Sequence, residues 1–189
     1  MNLPNKLTML RIILIPVYVL LFEISGIPNN MLWATIVFSL AAITDQLDGH
    51  LARKNNQVTS FGKLADPLAD KLLTISALIC FVEEGVAYLP GWVVILIIAR
   101  ELIVTGIRMI ALTDNTVIAA SGWGKAKTVS QLVTIIAIMV DMILKNFDLS
   151  LFVWGGFPVM LVLIVIMVAL TLISGVDYVK KNWGLLNFK

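Results

Sequence analysis

The sequence predicts an all-α integral membrane protein with six transmembrane helices. Of its 189 residues, 59% are apolar and only 14% are charged, whereas an average soluble domain is about 25% charged. The mean hydropathy is +0.95. A water-soluble fold could not bury that much apolar surface, so most of the chain is expected to be solvated by lipid.

Six apolar blocks carry this prediction. They are Leu7–Ile24, Met31–Ile43, Leu72–Val82, Gly91–Leu112, Val129–Leu144 and Phe157–Ser174. Turn-like breaks occur at residues 26–30, 83–85 and 154–158. The first block could be a secretory signal, but no clean small-x-small site precedes Ser25 and the remainder would still span the membrane several times. It is therefore expected to be a retained first helix, and residues 1–189 a single membrane-embedded domain.

The distribution of basic residues predicts the orientation. With six crossings both termini lie on one side of the membrane, and all but one of the 14 Lys and Arg residues fall on that side. The exception is Lys145. Because cytoplasmic segments retain Lys and Arg, both termini and the polar stretch Thr44–Lys71 are expected to be cytoplasmic.

The second and third apolar blocks, which flank this polar stretch, are shorter than the roughly 20 residues that cross a bilayer. Both helices are therefore expected to extend into the stretch. The second is predicted to run through Asp48 to about Ala52. The third is predicted to begin near Leu64 or Asp66, with Pro67 in its first turn, where the missing N–H costs nothing.

Four aspartates in the stretch are spaced for one shared site. Asp45 and Asp48 are three positions apart, and Asp66 and Asp70 are four apart, so each pair lies on one helical face. Four carboxylates at a common centre repel unless cations lie among them, and oxygen ligands favour Mg²⁺ or Mn²⁺. The pattern indicates a divalent-metal site for a phosphorylated ligand. The alternative is a solvated loop whose acidic residues are incidental.

These residues also carry a family resemblance. The pattern is D-x-x-D-G-x-x-A-R, eight further residues, then G-x-x-x-D-x-x-x-D, and it runs from Asp45 to Asp70. It resembles the signature of the CDP-alcohol phosphotransferase family at every defined position. Further similarity, to members whose acceptor is glycerol 3-phosphate, lies in Pro4–Pro16, Phe61–Lys71, Ala99–Arg108 and Gly124–Thr128. Ala65 departs from the pattern, where a larger apolar residue is expected, and this affects packing only.

The resemblance implies that CDP-diacylglycerol donates a phosphatidyl group to the 1-hydroxyl of sn-glycerol 3-phosphate and that CMP is released. It implies two divalent ions, Mg²⁺ or Mn²⁺, held by the four aspartates, with Asp70 as general base. It also implies a homodimer in the cytoplasmic membrane of a bacterium, with a polar active-site cavity at the cytoplasmic boundary and no nucleic-acid partner. The residues expected to bind CDP-diacylglycerol are Asn5, Thr8, Arg11, Asp48, Gly49, Arg53, Thr59 and Ser60.

The acceptor's own phosphate requires cations that the metal site cannot supply. Arg100 and Arg108 lie on one helical stripe with Thr105 nearby, and Lys125 follows glycines at a helix start, where backbone N–H groups favour anions. The expected glycerol-3-phosphate residues are Arg100, Thr105, Arg108, Lys125 and Lys127. Alternatively, Arg100 and Glu101 form a structural pair and Arg108 is an interfacial anchor.

Two other functions compete with this interpretation. Charged residues in membrane spans also mark the ion paths of transporters. Here the charges cluster at the cytoplasmic ends, and the nearest exception, Asp141, lies toward the outer end of the fifth span. An enzyme of the same family could use another acceptor, such as phosphatidylglycerol (as in a cardiolipin synthase), serine or inositol phosphate. A phosphate-free acceptor would not need the cationic residues, which favours glycerol 3-phosphate.

Overall fold

The computed structural model describes the backbone at residues 3–54, 60–113, 118, 121–145, 147, 149, 153–154 and 157–185. Within these ranges it describes the side chains of residues 6–44, 68–69, 71–111, 118, 121–145, 147, 149 and 158–184. The chain divides into two compact units, each described by itself below. The N-terminal unit is residues 1–84 with 138–150, and the C-terminal unit is residues 85–137 with 151–189.

Helices dominate the described residues, as predicted. They are α1 (Leu3–Glu23), α2 (Asn30–Lys54), α3 (Ser60–Glu83), α4 (Gly91–Thr113), α5 (Gly122–Lys145) and α6 (Val159–Lys181). A 3₁₀ turn, Trp183–Leu185, follows α6. Among the described residues, α5 and α6 are long and apolar enough to cross a bilayer, and Asn30–Thr44 of α2 is a shorter apolar helix. With the composition, these helices indicate a membrane protein; the six crossings and their orientation remain predictions.

The helix boundaries confirm one predicted extension and correct another. The second helix continues to Lys54, so it carries Asp48 and Ala52 as expected. The third begins at Ser60 and not near Leu64 or Asp66, so Pro67 lies inside the helix and not in its first turn. The physical reason is that proline removes only one backbone hydrogen bond from a helix, so it can kink a helix without ending it.

The last break lies where it was expected, but the start of the last helix differs from the prediction. The last helix starts at Val159 and not at Phe157, because residues 157–158 form a strand, β2, that pairs antiparallel with β1 (Val153–Trp154). The apolar block was predicted to begin at Phe157 because Phe157 and Pro158 are both apolar. Proline has no backbone N–H, so Pro158 can end the strand without leaving a donor unpaired. The breaks before α2 and α4 occur where they were expected.

In the N-terminal unit, α1 packs against both α2 and α3, which also contact each other. The buried face of α1 repeats every three or four residues and consists of Thr8, Arg11, Ile15, Tyr18 and Phe22. The Tyr18 ring packs on Phe38 of α2 with centroids 5.6 Å apart, and the Phe22 ring packs on Phe81 of α3 at 5.9 Å. This aromatic contact holds together the two helices that carry the aspartates.

In the C-terminal unit, polar contacts fix the relative direction of three helices. Arg100 of α4 bonds to Ser174 of α6, and the later Arg108 bonds to the later Tyr178. The partners follow the same order along both helices, so α4 and α6 run in the same direction. The α5 residue Thr134 contacts the Leu163 carbonyl, near the start of α6, at 3.4 Å. Lys127, which lies earlier in α5, bonds to Glu101, next to the arginine that bonds to Ser174 near the end of α6. The fifth helix therefore runs opposite to α6.

Candidate active site

The four signature aspartates lie on two helices that pack against each other. Asp45 and Asp48 belong to α2, and Asp66 and Asp70 belong to α3. The helical backbone gives each pair the spacing that places both members on one face. The side chains of these four residues lie outside those that the structure describes, so the shared metal centre stays a prediction.

The residues expected to contact the CDP group fall into two classes. Thr8 and Arg11 of α1 are completely buried and interact with other groups of the protein. A buried guanidinium in a membrane protein is costly unless it is matched by partners, and such residues are usually functional. The others lie outside the described side chains or, for Thr59, outside the described residues altogether: Asn5, Asp48, Gly49, Arg53, Thr59 and Ser60.

A buried ionic cluster joins α4 to α5 at Glu101. One carboxylate oxygen, Oε1, accepts a hydrogen bond from Nη1 of Arg100 at 3.1 Å and another from Nζ of Lys127. The side chains of Arg100, Glu101 and Lys127 are only 12%, 5% and 5% exposed. Two cations therefore share one carboxylate oxygen in a site largely closed to water.

The Arg100 guanidinium is held from a third helix as well. Its Nη2 donates a hydrogen bond of 2.9 Å to Oγ of Ser174 on α6, and that hydroxyl donates in turn to the Thr171 carbonyl at 3.1 Å. Both α6 residues are completely buried. Arg100 is thus both the structural partner of Glu101 and the cation whose position three helices determine.

Arg108 is attached differently. Its Nε donates to the hydroxyl of Tyr178 at 3.3 Å, and its Cζ lies 5.5 Å from the centre of that ring, within the range of a cation–π contact. The tyrosine is buried whereas the arginine is exposed. Tyr178 therefore anchors the guanidinium by one edge and leaves its outer edge accessible. Thr105 uses its hydroxyl within α4, where it donates to the Glu101 carbonyl at 2.8 Å.

The two lysines near the start of α5 have distinct surroundings. The helix begins at Gly122, as its glycines suggested, and the Ser121 hydroxyl accepts the Gly124 N–H at 3.2 Å, as an N-cap does. Lys125 is exposed in the first turn, whereas Lys127 is buried on Glu101. The sequence did not rank these lysines, and the structure assigns only Lys127 to the buried cluster.

Sequence reasoning missed Ser174, Tyr178 and Gln131. Gln131 lies one turn beyond Lys127, is 2% exposed and has an Nε2 without a hydrogen-bond partner among the described residues. The signals were faint: polar residues at i, i+4 and i+7 along α5 from Lys127, and the pair Ser174 and Tyr178 at i and i+4 in an apolar helix.

Comparison with known proteins places the chain in a family. A family model of CDP-alcohol phosphatidyltransferases matches residues 1–173. A CDP-diacylglycerol–glycerol-3-phosphate 3-phosphatidyltransferase of Bacillus subtilis is 40% identical over 193 residues, which cover 96% of this chain and 95% of the relative. A protein of Haemophilus influenzae with the same name is 40% identical over 136 residues, 71% of this chain and 73% of its own.

A third relative, a probable phosphatidylglycerophosphate synthase of Mycobacterium tuberculosis, is 40% identical over 187 residues, which cover 95% of this chain and 81% of the relative. The family model, by its matched residues, extends over both units. The chain belongs to the CDP-alcohol phosphatidyltransferase family.

Proposed function

We propose that the protein transfers the phosphatidyl group of CDP-diacylglycerol to the 1-hydroxyl of sn-glycerol 3-phosphate, which gives phosphatidylglycerophosphate and CMP. The names of the relatives from B. subtilis and H. influenzae support both substrates. The observation that carries the choice of acceptor is the buried cluster in which Arg100 and Lys127 share Glu101. An anionic acceptor needs such cations and an uncharged polyol does not, while the names of the relatives favour glycerol 3-phosphate among the anionic acceptors.

The donor site is assigned to the signature helices. Carboxylate oxygens on two packed helices fit hard divalent ions, and we propose that Asp45, Asp48, Asp66 and Asp70 hold two of them, Mg²⁺ or Mn²⁺. When bound, these ions neutralise the charge that develops on the departing CMP. The residues proposed to orient the CDP group are Asn5, Thr8, Arg11, Asp48, Gly49, Arg53, Thr59 and Ser60.

The chain's own chemical step is a proton transfer. The acceptor oxygen forms a bond to the β-phosphorus, which carries the diacylglycerol, and the bond from that phosphorus to the CMP oxygen breaks. The proton of the acceptor hydroxyl passes to Asp70. Its carboxylate must lie within about 3 Å of that hydroxyl, because position and not a high pKa makes it effective.

The acceptor's phosphate is assigned to the cationic residues of α4 and α5. Arg108 offers the accessible edge of an anchored guanidinium, and a guanidinium can bind phosphate oxygens in pairs. Arg100 and Lys127 supply fixed positive charge, and Thr105 lies on the same helix. Lys125 is exposed, and its flexible ammonium could close over the ligand from the α5 N-terminus.

The proposed setting is the cytoplasmic membrane of a bacterium, crossed six times, with both termini and the active site on the cytoplasmic side and the protein as a homodimer. Directions within the C-terminal unit support this, since successive crossings alternate and α5 runs opposite to α6 while α4 runs parallel to it. A cavity at the cytoplasmic boundary would admit the lipid donor from the bilayer and the soluble acceptor from water.

A transporter is the less favoured function. Asp141 is the acidic residue that comes nearest to the middle of a predicted span. Its carboxylate lies 3.0 Å from the ammonium of Lys145, one helical turn later. A surface pair at a helix end does not make a path across the membrane. Use of serine, phosphatidylglycerol or inositol phosphate as acceptor is the closer alternative, and the acceptor has to be tested directly.

The test is CMP release by the purified protein from CDP-diacylglycerol, with sn-glycerol 3-phosphate, glycerol, serine, phosphatidylglycerol and inositol phosphate offered separately. We expect CMP and phosphatidylglycerophosphate with glycerol 3-phosphate and only background release with the others. Faster release with any other acceptor would refute the proposed acceptor, and the absence of release with all of them would refute the reaction.

A further inference from the structure

Gly175 of α6 faces the aliphatic stem of Arg100. A Cβ atom at this glycine would lie 3.0 Å from Cγ and 3.8 Å from Nε of the arginine, whereas carbon atoms in ordinary contact are about 3.5–4.0 Å apart. The stem has little freedom to withdraw, because the guanidinium beyond it is bonded to Glu101 at 3.1 Å and to Ser174 at 2.9 Å. A methyl group at residue 175 would therefore stretch or break one of these bonds.

Ser174 complements the glycine from the preceding position. Its hydroxyl hydrogen is given to the Thr171 carbonyl at 3.1 Å, so a lone pair of the oxygen is left to accept from Nη2 of Arg100. Neither residue is a good helix former compared with alanine, and the rest of α6 is strongly apolar. A serine and a glycine lower the helix propensity here, but they give the arginine a hydrogen-bond acceptor and room for its stem.

We propose that Ser174 and Gly175 form a seat for Arg100 that fixes the direction of its guanidinium toward the acceptor's phosphate. They are positioning residues, since they act through Arg100 and not on the substrate. The inference rests on the proposed function, because it requires Arg100 to bind the acceptor. Binding groups must be held within about 0.5 Å and 10–20° of the productive geometry, and the seat supplies this for a long side chain that would otherwise adopt several rotamers.

The test compares three alanine variants of the full-length protein in detergent. Gly175→Ala fills the seat, and Ser174→Ala removes its hydrogen-bond acceptor. Gly106→Ala is the matched control, since it is also a helical glycine but has nothing within 4 Å of the added Cβ. Gly106 lies three and four positions from the exposed Ile103 and Leu102, on the outward face of α4. Both glycine substitutions raise helix propensity equally, so their difference isolates the contact with Arg100.

Steady-state kinetics with each substrate varied separately give the decisive readout. We expect Gly175→Ala to raise the KM for glycerol 3-phosphate about tenfold or more, and Ser174→Ala to raise it about threefold to tenfold. The KM for CDP-diacylglycerol should stay within about twofold in both, as should both KM values of Gly106→Ala. Melting temperatures measured in parallel show whether a variant is folded, and Ser174→Ala decides the question if Gly175→Ala does not accumulate.

Arg100→Gln separates the failure of the seat from the failure of the proposed function. If this variant raises the KM for glycerol 3-phosphate while Gly175→Ala and Ser174→Ala leave it unchanged, the seat is refuted and the acceptor role of Arg100 stands. If Arg100→Gln leaves that KM unchanged, the acceptor role is refuted and the seat falls with it. Equal increases in the KM of both substrates in Gly175→Ala would indicate a general structural effect and would overturn the positioning role.

Discussion

In the N-terminal unit, the four signature aspartates occupy one stretch of the chain, from Asp45 to Asp70, on two consecutive helices. In the C-terminal unit, the ionic cluster joins residues 26 and 74 positions apart on three helices. The first arrangement is local, so helical spacing alone reveals it. The second forms only when α4, α5 and α6 pack together. Helical spacing within one segment therefore cannot reveal it.

The two regions also treat charge differently. The aspartate helices carry four like charges, which we propose to be neutralised by added cations, whereas in the cluster two cations, Arg100 and Lys127, are paired with Glu101. We therefore expect perturbations of the first region to affect the donor and the chemical step, and perturbations of the second to affect the acceptor. The following predictions test this division, from the largest expected effect to the smallest.

Removal of divalent ions should have the largest effect. Excess EDTA is expected to lower CMP release at least about 10²-fold, because it removes the ions that we propose to neutralise the four aspartates and the leaving CMP. Added Mg²⁺ or Mn²⁺ should restore the rate. Activity that persists in EDTA after dialysis would overturn the metal assignment in the N-terminal unit.

Asp70→Asn should retain donor binding but lose turnover. The amide cannot accept the acceptor's proton, so kcat should fall about 10²–10⁴-fold, while CDP-diacylglycerol still binds in the presence of Mg²⁺. Asp177→Asn is the matched control, since Asp177 lies near the end of α6 in an ion pair with the exposed Lys181. Near-normal turnover in Asp70→Asn would contradict its role as the base.

Glu101→Gln should weaken both stability and acceptor binding. Gln lacks the negative charge with which Glu101 pairs to Arg100 and Lys127, so the free energy of unfolding should fall by about 3 kcal/mol. The KM for glycerol 3-phosphate should rise more than that for the donor. Adding Lys127→Met should recover part of the stability but not the KM. Denaturant or thermal unfolding in detergent and substrate-resolved kinetics check both statements, and a rise confined to the donor's KM would count against the cluster.

Lys181→Ala should have the smallest effect. Its side chain is 63% exposed and pairs with Asp177 at 2.8 Å, and exposed pairs of this kind contribute about 0–1 kcal/mol. Kinetics and melting temperature should match those of the unmodified protein. A large rise in the KM for glycerol 3-phosphate would show that the acceptor depends on a cation other than Arg100, Arg108, Lys125 and Lys127, and the division between the regions would then be too simple.

The sequence predicted the helices and the aspartate pairs well because both depend on short-range spacing. The length deficit of the second apolar block correctly required α2 to extend through Asp48. The predicted start of α3 was wrong because Pro67 was expected to lie in the first turn of the helix. The helix begins at Ser60 and continues through this proline. The strand pair at residues 153–158 was missed because two-residue strands leave no periodic pattern.

The cation cluster was only partly predictable. Helical spacing placed Arg100 and Arg108 on one stripe. The sequence allowed two roles for Arg100, a structural pairing with Glu101 or binding of the acceptor. The structure shows the pairing and adds Lys127 to it, which leaves the acceptor role as a proposal. Ser174 and Gly175 could not be assigned from sequence, since their importance depends on which residue of α4 lies opposite them.

The division of substrates between the two regions is tested most directly by one binding measurement. Binding of CDP-diacylglycerol in the presence of Mg²⁺ should be measured for Asp48→Asn and Arg100→Gln side by side with the unmodified protein. We predict that Arg100→Gln binds the donor as the unmodified protein does and that Asp48→Asn binds it much more weakly. Loss of donor binding in Arg100→Gln, or its retention in Asp48→Asn, would contradict the assignment of the donor to the aspartate helices and of the acceptor to the cation cluster.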